Sequence, residues 1–161
     1  MANPAQHIAS TEKPREIVIR PIVENRSARH EYFITDEIEA GIALVGTEVK
    51  SLREKKVQLA GGFARFTDGE LWLENVQISV YKQGNINNHD PLRTRRLLLH
   101  ARELRKLAQR AATKGVTIVP VKMYFKGNKV KVLLGIAKGK RSHDKRESIK
   151  ERDVRRDMER E

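Results

Sequence analysis

The sequence predicts a mainly β protein, in which a small antiparallel β-barrel carries two to three α-helices and ends in a charged C-terminal tail. Three observations lead to this prediction. Segments of alternating apolar and polar residues recur along the middle of the chain, and the pairs Asp68-Gly69 and Gly127-Asn128 fall where tight turns would join them. The last 24 residues include ten basic and seven acidic side chains. They contain too few apolar side chains to become ordered through hydrophobic burial.

The chain has 161 residues, enough for one hydrophobic core, so the sequence predicts one domain with a tail at each end. Residues 1–16 are polar, contain two prolines and are expected to form a flexible leader. Residues 17–137 are expected to form the barrel. Residues 138–161 are expected to be disordered in the free protein and helical when bound to a partner.

Charge and composition restrict the function classes. Lysine and arginine total 33 against 21 aspartate and glutamate, giving a formal charge of +12, and the positive side chains are clustered. This balance favours nucleic acid as the partner and an anionic membrane surface second. Without cysteine there are no disulfides and no thiolate chemistry. We expect a cytoplasmic protein with no membrane partner, because no apolar run approaches the length of a membrane span.

The first two elements are predicted between residues 29 and 54. Alternation from Arg29 to Leu44, around a polar bend near residues 35–37, predicts a hairpin. Residues 46–54 follow as a short helix with Thr47 as its N-cap, because Val49 and Leu52 are three residues apart and can face inward together.

A second hairpin is predicted over residues 63–76, since Asp68-Gly69 supplies the positive φ angles of a tight turn. The segment 81–91 is rich in Asn, Gly and Asp and is expected to be an irregular loop. A helix is predicted to follow Thr94, with Gly115 at its C-terminal end. Residues 116–137 alternate around Gly127-Asn128 and predict a third hairpin.

Three hairpins and two helices in about 120 residues favour an antiparallel barrel of the oligonucleotide-binding (OB) type, with helices covering its gaps. A two-layer α+β sandwich is the alternative.

Nothing in the sequence indicates catalysis or a metal site. The five histidines are scattered without paired spacing, and no phosphate-binding loop or nucleophile elbow is present. Glu39 and Glu48 could act as acids or bases, but a lone glutamate is more often solvated or ion-paired. We therefore predict no catalytic residue, no metal and no cofactor.

Four basic clusters are candidate nucleic-acid contacts, because neighbouring cations release phosphate counterions on binding. They are Arg26/Arg29/His30, Lys50/Arg53/Lys55/Lys56, Arg93/Arg95/Arg96 and the stretch from Lys138 to Arg146. Aromatic residues are few, which favours recognition of a folded RNA by its shape and backbone over recognition of a splayed single strand.

Four segments closely resemble the SmpB family of tmRNA-binding proteins: NRSARHEY (25–32), EAGIALVGTEVKSLR (39–53), DPLRTRRLLLH (90–100) and GIAKGKRSHDKRESIKERD (135–153). The resemblance implies an OB-like barrel that binds the tRNA-like domain of tmRNA (SsrA RNA). It further implies delivery of alanyl-tmRNA, together with elongation factor Tu, to stalled ribosomes. Trans-translation, ribosome rescue and tagging of the unfinished peptide would follow, and the protein would act as a monomer.

The resemblance also assigns residues. The family's tmRNA-contact positions fall on Glu39, Leu99 and His100, and we add from the basic clusters Arg26, Arg29, Lys50, Arg95 and Arg96. The tail is implied to enter the empty mRNA channel and to contact rRNA of the small subunit at the decoding centre. The implied contacts are Lys138, Gly139, Lys140, His143, Asp144, Lys145, Arg146, Ile149 and Lys150.

Two alternatives and one departure from the family pattern remain. A ribosome-bound structural protein would use the same basic tail to hold rRNA, and an RNA-processing enzyme would need a motif that is not found. Val154 stands where the family commonly has tryptophan, and the chain ends soon afterwards without a longer basic tip. This departure leaves two alternatives open for the tail in the channel, anchoring as in the rest of the family or weaker anchoring.

Overall fold

The computed structural model describes residues 15–140 and 142–160, and for residues 85, 86 and 142–144 it describes the backbone alone. The predicted leader therefore lies almost entirely outside the described residues. Within the described ranges the strands are β1 Ile19–Glu24, β2 Tyr32–Ile42, β3 Val57–Gln58, β4 Phe63–Thr67, β5 Glu70–Glu74, β6 Gln77–Ile78, β7 Arg95–Leu98, β8 Val116–Lys126 and β9 Lys129–Gly139. The helices are α1 Arg26–Glu31, α2 Gly46–Arg53, α3 Ala101–Ala111 and α4 Ser142–Glu159.

The main sheet closes into a barrel. Its strands are hydrogen-bonded in the order β1-β8-β4-β5-β7-β2-β9, and a further pairing of β8 with β9 joins the two sides of this series. Six strands therefore form a closed antiparallel ring, while β1 pairs with β8 outside it. The predicted mainly β, OB-like barrel is confirmed, and closure decides against the two-layer sandwich.

The interior of the barrel is filled by apolar side chains that come from alternate residues along its strands. The side chains of Leu71, Leu73, Val132 and Leu134 expose no surface. Each such side chain contributes roughly 1.5–3 kcal/mol of burial free energy. The second and third predicted hairpins supply most of this core and are confirmed as β4–β5 and β8–β9.

The first predicted hairpin is wrong. Residues 26–31 form α1, whose N-cap is Asn25, and residues 32–42 form the single strand β2. The polar bend is a β-bulge between Ile34 and Asp36, and the strand that β2 pairs with there is β9, about a hundred residues further on. A bulge and a turn both interrupt the alternation of a strand, so local sequence does not distinguish them.

The predicted helix after Thr94 begins too early. Residues 95–98 form β7, which fills the gap between β5 and β2 and is needed to close the barrel. The helix α3 starts at Ala101, and Leu107 is its buried residue. The leucine run at 97–99 suits a strand and a helix equally, and here sheet pairing outweighs helical periodicity.

Two local expectations also differ. The N-cap of α2 is Val45, and Thr47 instead pairs its hydroxyl group with Nδ1 of His89 at 2.8 Å. The segment predicted as an irregular loop contains a 3₁₀ helix at Lys82–Asn87. The 18-residue helix α4 is formed in this structure, and disorder of the free tail stays a prediction. None of the helices within residues 15–140 and 142–160 is both long and apolar enough to span a membrane.

Candidate nucleic-acid interface

Four lysines share the outer face of the barrel where β8 and β9 pair. Lys126 lies opposite Lys129, and Lys131 lies opposite Tyr124 on one side and Gly41 of β2 on the other. Directly opposite residues of antiparallel strands project from the same face. The alternate residues point into the core, so the lysines point out. We call Lys122, Lys126, Lys129 and Lys131 the lysine face.

Glu39 is a carboxylate within this basic surface. Its Oε1 accepts a hydrogen bond from Nζ of Lys126 at 3.1 Å, and its Oε2 accepts one from the hydroxyl group of Tyr124. The hydrogen bond from Tyr124 is the main cause that lowers the pKa of Glu39, and Lys126 acts in the same direction against the effect of burial. Glu39 is therefore an ionised acceptor on a surface that attracts phosphate.

A cleft of about 790 Å³ opens beside Glu39. It lies between β2, the start of α3 and the turn that joins β8 to β9. Its lining includes Glu39, Leu99, His100, Lys129 and Lys131. Cations, a carboxylate, an apolar side chain and an imidazole therefore meet in one concave surface, which offers contacts for both phosphates and base edges.

Leu99 and His100 are held in this cleft by the junction of β7 and α3. Leu99 is half-buried and packs against the barrel core. His100 is exposed and is the N-cap of α3, where its backbone carbonyl accepts from the amide of Leu104 at 3.0 Å. The strand-to-helix change that was mispredicted is thus the feature that presents both side chains.

The helix α1 carries exposed Arg26 and Arg29. Nη2 of Arg29 lies 3.3 Å from Oε1 of Glu37. The short helix is fixed to the barrel because the side-chain amide of Asn25 donates to the carbonyl oxygen of Pro120 at 2.9 Å and to that of Leu59 at 3.3 Å. Both arginines are therefore carried by a helix that is hydrogen-bonded to the barrel.

Lys140 connects α1 to the tail. Its Nζ donates to the carbonyl oxygen of Arg29 at 3.0 Å and to Oγ of Ser148 at 2.8 Å, and it lies 4.9 Å from the ring centre of Phe33. A second contact joins the guanidinium of Arg152 to Nδ1 of His30 at 3.1 Å. These contacts hold α4 against α1 as far as Arg152, and we call them the tail latch.

The other tail positions are mostly open to solvent. Lys145 is half-buried, whereas Lys138, Gly139, Arg146, Ile149 and Lys150 are exposed, as is every residue from 149 to 160. His143 and Asp144, also predicted as decoding-centre contacts, have side chains outside the described residues. The outer part of α4 therefore has an exposed surface available to a partner.

Arg95 is the predicted RNA contact that the structure places in the interior, and this corrects its role. Its side chain exposes no surface and pairs with Glu48, which is equally buried. Glu48 also accepts from Arg93 and from the amide of Val45. A guanidinium enclosed in this way is unavailable for direct contact with RNA. The adjacent Arg96 is exposed and pairs with Glu70 at 2.9 Å.

Lys50, the remaining predicted contact, is exposed on α2 with its Nζ 5.4 Å from the ring centre of Tyr81. The cation and the aromatic ring together form a separate small basic surface. Within the described residues no group of three His, Asp or Glu side chains is arranged to hold a metal ion.

A family profile described as SmpB protein matches residues 22–161, from β1 through the tail. The chain belongs to the SmpB family. The match includes the cleft, the lysine face, α1 and α4, so every candidate contact lies within the part that the family shares.

Curated SmpB relatives cover nearly the whole chain. The SsrA-binding protein of Ligilactobacillus salivarius (strain UCC118) is 53% identical over 148 residues, which are 92% of this chain and 94% of that protein. The SsrA-binding protein of Levilactobacillus brevis (strain ATCC 367) is 56% identical over 132 residues, 82% of this chain and 84% of that one.

A solved structure agrees with the fold. One chain of the structure described as "tmRNA-SmpB: a journey to the center of the bacterial ribosome" superposes with a TM-score of 0.65 at 54% identity. The superposition covers 80% of this chain and 94% of the other. At this identity the likeness extends beyond the fold to the SmpB family itself.

In this SmpB chain the structure brings most of the predicted barrel contacts together in two places. Glu39, Leu99 and His100 share the cleft, Arg26 and Arg29 share α1 with the tail latch, and Lys50 and Arg96 stand apart. The lysine face was missed. Its signal was present, because the alternation of residues 116–137 puts those lysines on the polar side of the third hairpin.

Proposed function

We propose that this chain binds the tRNA-like domain of tmRNA (SsrA RNA) and delivers alanyl-tmRNA, with elongation factor Tu, to stalled ribosomes. The result is trans-translation, rescue of the ribosome and tagging of the nascent peptide, carried out in the cytoplasm by a monomer. The observation that carries the proposal is the convergence of Glu39 with the distant pair Leu99 and His100 on one cleft beside the lysine face. The naming of its close relatives as SsrA-binding proteins supports it.

The barrel is the RNA-binding body in this proposal. The lysine face and the arginines of α1 contact phosphates, which provides affinity that falls as salt rises. Glu39 cannot attract phosphate, so it accepts hydrogen bonds from base amino groups or orients nearby cations. The cleft thereby adds selectivity to an otherwise electrostatic surface.

The tail is the ribosome-sensing part. As a helix, α4 has 18 residues and a length of about 27 Å. Its apolar residues Ile149, Val154 and Met158 are exposed, so little burial holds them to the barrel. We propose that the tail leaves α1, enters the empty mRNA channel and contacts the decoding centre through residues 138–150.

Binding specificity is tested with a gel shift at raised salt. The full-length protein should bind the tRNA-like RNA domain in preference to an unstructured RNA of equal length. Glu39→Ala should weaken this binding, whereas Glu74→Ala should not, because Glu74 is an ion-paired carboxylate on β5 that does not line the cleft. Equal affinity for both RNAs would contradict the proposal.

Removal of residues 138–161 tests the division between body and tail. The truncated protein should retain binding to the RNA domain and lose peptide tagging in a reconstituted translation reaction. A structural protein that only holds rRNA would show neither selective binding nor dependence of tagging on the tail. Equal tagging by the truncated and full-length proteins would refute the role given to the tail.

A further inference from the structure

We propose that Tyr124 is a positioning residue for RNA recognition, whose hydroxyl group holds the Glu39 carboxylate in the wall of the cleft as an ionised hydrogen-bond acceptor. The inference rests on the proposed binding of RNA and adds a residue that reaches the RNA only through Glu39. Its partner in this task is Lys126.

Tyr124 lies outside the cleft, so it is not placed to contact RNA that is bound there. Its side chain is 8% exposed, and it lies opposite Pro21 of β1, the strand outside the closed ring. It borders a separate groove with Ile19 and Pro21, whereas the cleft beside Glu39 does not include it. Tyr124 therefore contacts Glu39 from beside the cleft, through its hydroxyl group.

The hydrogen-bond chemistry fixes what Glu39 can do. A phenol has one proton, and Tyr124 donates it to Oε2 while Lys126 donates to Oε1 at 3.1 Å. An ionised carboxylate accepts at both oxygens and has further lone pairs, whereas a protonated one becomes a donor. With a donor on each oxygen, the carboxylate is oriented and still able to accept from a ligand in the cleft.

The charges around Glu39 favour the same state. Lys131 on β9 stabilises the ionised form, and Lys129, Glu103 and His100 complete the charged or titratable groups of the cleft. Burial and the hydrogen bond to Glu39 raise the pKa of Tyr124, so its hydroxyl group keeps the proton that it donates. The chemistry recognised is a base edge that presents N–H donors beside phosphates bound by lysine.

The experiment measures the affinity of the full-length protein for the tRNA-like RNA domain as a function of pH. Protonation turns one oxygen of Glu39 into a donor and removes its charge, so affinity should fall as the pH falls through its pKa. Tyr124→Phe removes a hydrogen bond that lowers this pKa, so the acidic loss should begin at a higher pH. At neutral pH we expect binding about tenfold weaker.

A double-mutant cycle separates positioning from general damage. Glu39→Gln keeps the shape without a group that ionises, so the loss of affinity at acidic pH should disappear, and adding Tyr124→Phe should then leave the pH profile unchanged. Lys126→Met removes the other donor and should move the acidic loss in the same direction as Tyr124→Phe. This second variant keeps the test valid if Tyr124→Phe lowers the melting temperature.

Tyr32→Phe is the matched control, because that ring packs against a small cluster of Ala28, Val119 and Ala137 and does not line the cleft. It should leave the pH profile unchanged. If the native protein binds the RNA and Tyr124→Phe has the same affinity and acidic loss, the positioning proposal is refuted. If the native protein fails to bind the RNA selectively, the proposed function itself is refuted.

Discussion

Glu48 on α2 and Arg95 on β7 form an ion pair in which neither side chain exposes any surface. Arg95 also donates from Nη1 to the carbonyl oxygen of Val76 at 2.8 Å and from Nη2 to that of Pro91 at 3.1 Å. The pair thereby ties a helix, a barrel strand and the preceding loop to one another. A buried pair of this kind is costly to break because the remaining charge has no solvent.

Glu48→Ala should destabilise the fold by about 3–5 kcal/mol, because it leaves the Arg95 guanidinium buried without its counter-charge. The measurement is the free energy of unfolding in urea. The control is Glu37→Ala, which breaks the exposed pair with Arg29 and should cost about 0–1 kcal/mol. If both variants lose the same free energy of unfolding, the buried pair stabilises the fold no more than the exposed pair does.

The same carboxylate should make stability depend on pH. Burial alone would raise the pKa of Glu48, but hydrogen bonds from Arg93, the amide of Val45 and Arg95 outweigh it and hold the pKa below its ordinary value. A lowered folded-state pKa contributes stability that is complete above the unfolded value and is lost as the pH falls through the folded value.

Urea unfolding between about pH 6 and pH 3 measures this contribution. Native protein should lose stability over that range more steeply than Glu48→Gln, which has no carboxylate to protonate at this position. If the stability of both proteins falls in parallel with pH, the loss of stability at acidic pH comes from other carboxylates.

Gly62 should not tolerate a side chain. A Cβ atom there would lie 2.6 Å from Cγ2 of Val76 and 2.9 Å from the backbone oxygen of Leu59. We expect Gly62→Ala to cost about 1–3 kcal/mol through this overpacking, measured by urea unfolding. Gly46→Ala is the control, since a Cβ atom there meets nothing within 4 Å. A stable Gly62→Ala variant would mean that β3–β6 and the adjoining turn can shift.

Lys131 should contribute one phosphate contact. Lys131→Ala should weaken binding to the tRNA-like RNA domain and reduce the slope of log affinity against log salt by about 1. The slope comes from titrations at several salt concentrations. Lys114→Ala removes an exposed lysine that does not line the cleft and should leave the slope unchanged. An unaltered slope in Lys131→Ala would remove the lysine face from the interface.

The tail latch should retard opening of α4 in the free protein. Arg152→Ala removes the contact with His30 and should speed amide hydrogen exchange across residues 145–160 about threefold. Arg155→Ala, an exposed arginine on the same helix, controls for helix propensity. If both variants exchange alike, the contact with α1 does not restrain the tail.

The sequence predicted the elements whose signals are local. Asp68-Gly69 and Gly127-Asn128 specify their hairpins by backbone conformation, and the alternation of residues 116–137 specifies which side is buried. The motifs in residues 25–32, 39–53, 90–100 and 135–153 were sufficient to indicate the SmpB family. The lysine face was equally readable from that alternation, but it was overlooked because its lysines are not consecutive.

Tertiary structure decided the features that depend on distant partners. Whether residues 35–37 formed a turn or a bulge depended on β9, and whether residues 95–98 formed a strand or a helix depended on the open position between β5 and β2. The burial of Arg95 beside Glu48 could likewise not be predicted, because in the sequence Arg95 is simply one member of a basic cluster. Periodicity records which side of an element is apolar, whereas pairing and burial depend on which neighbours the closed barrel supplies.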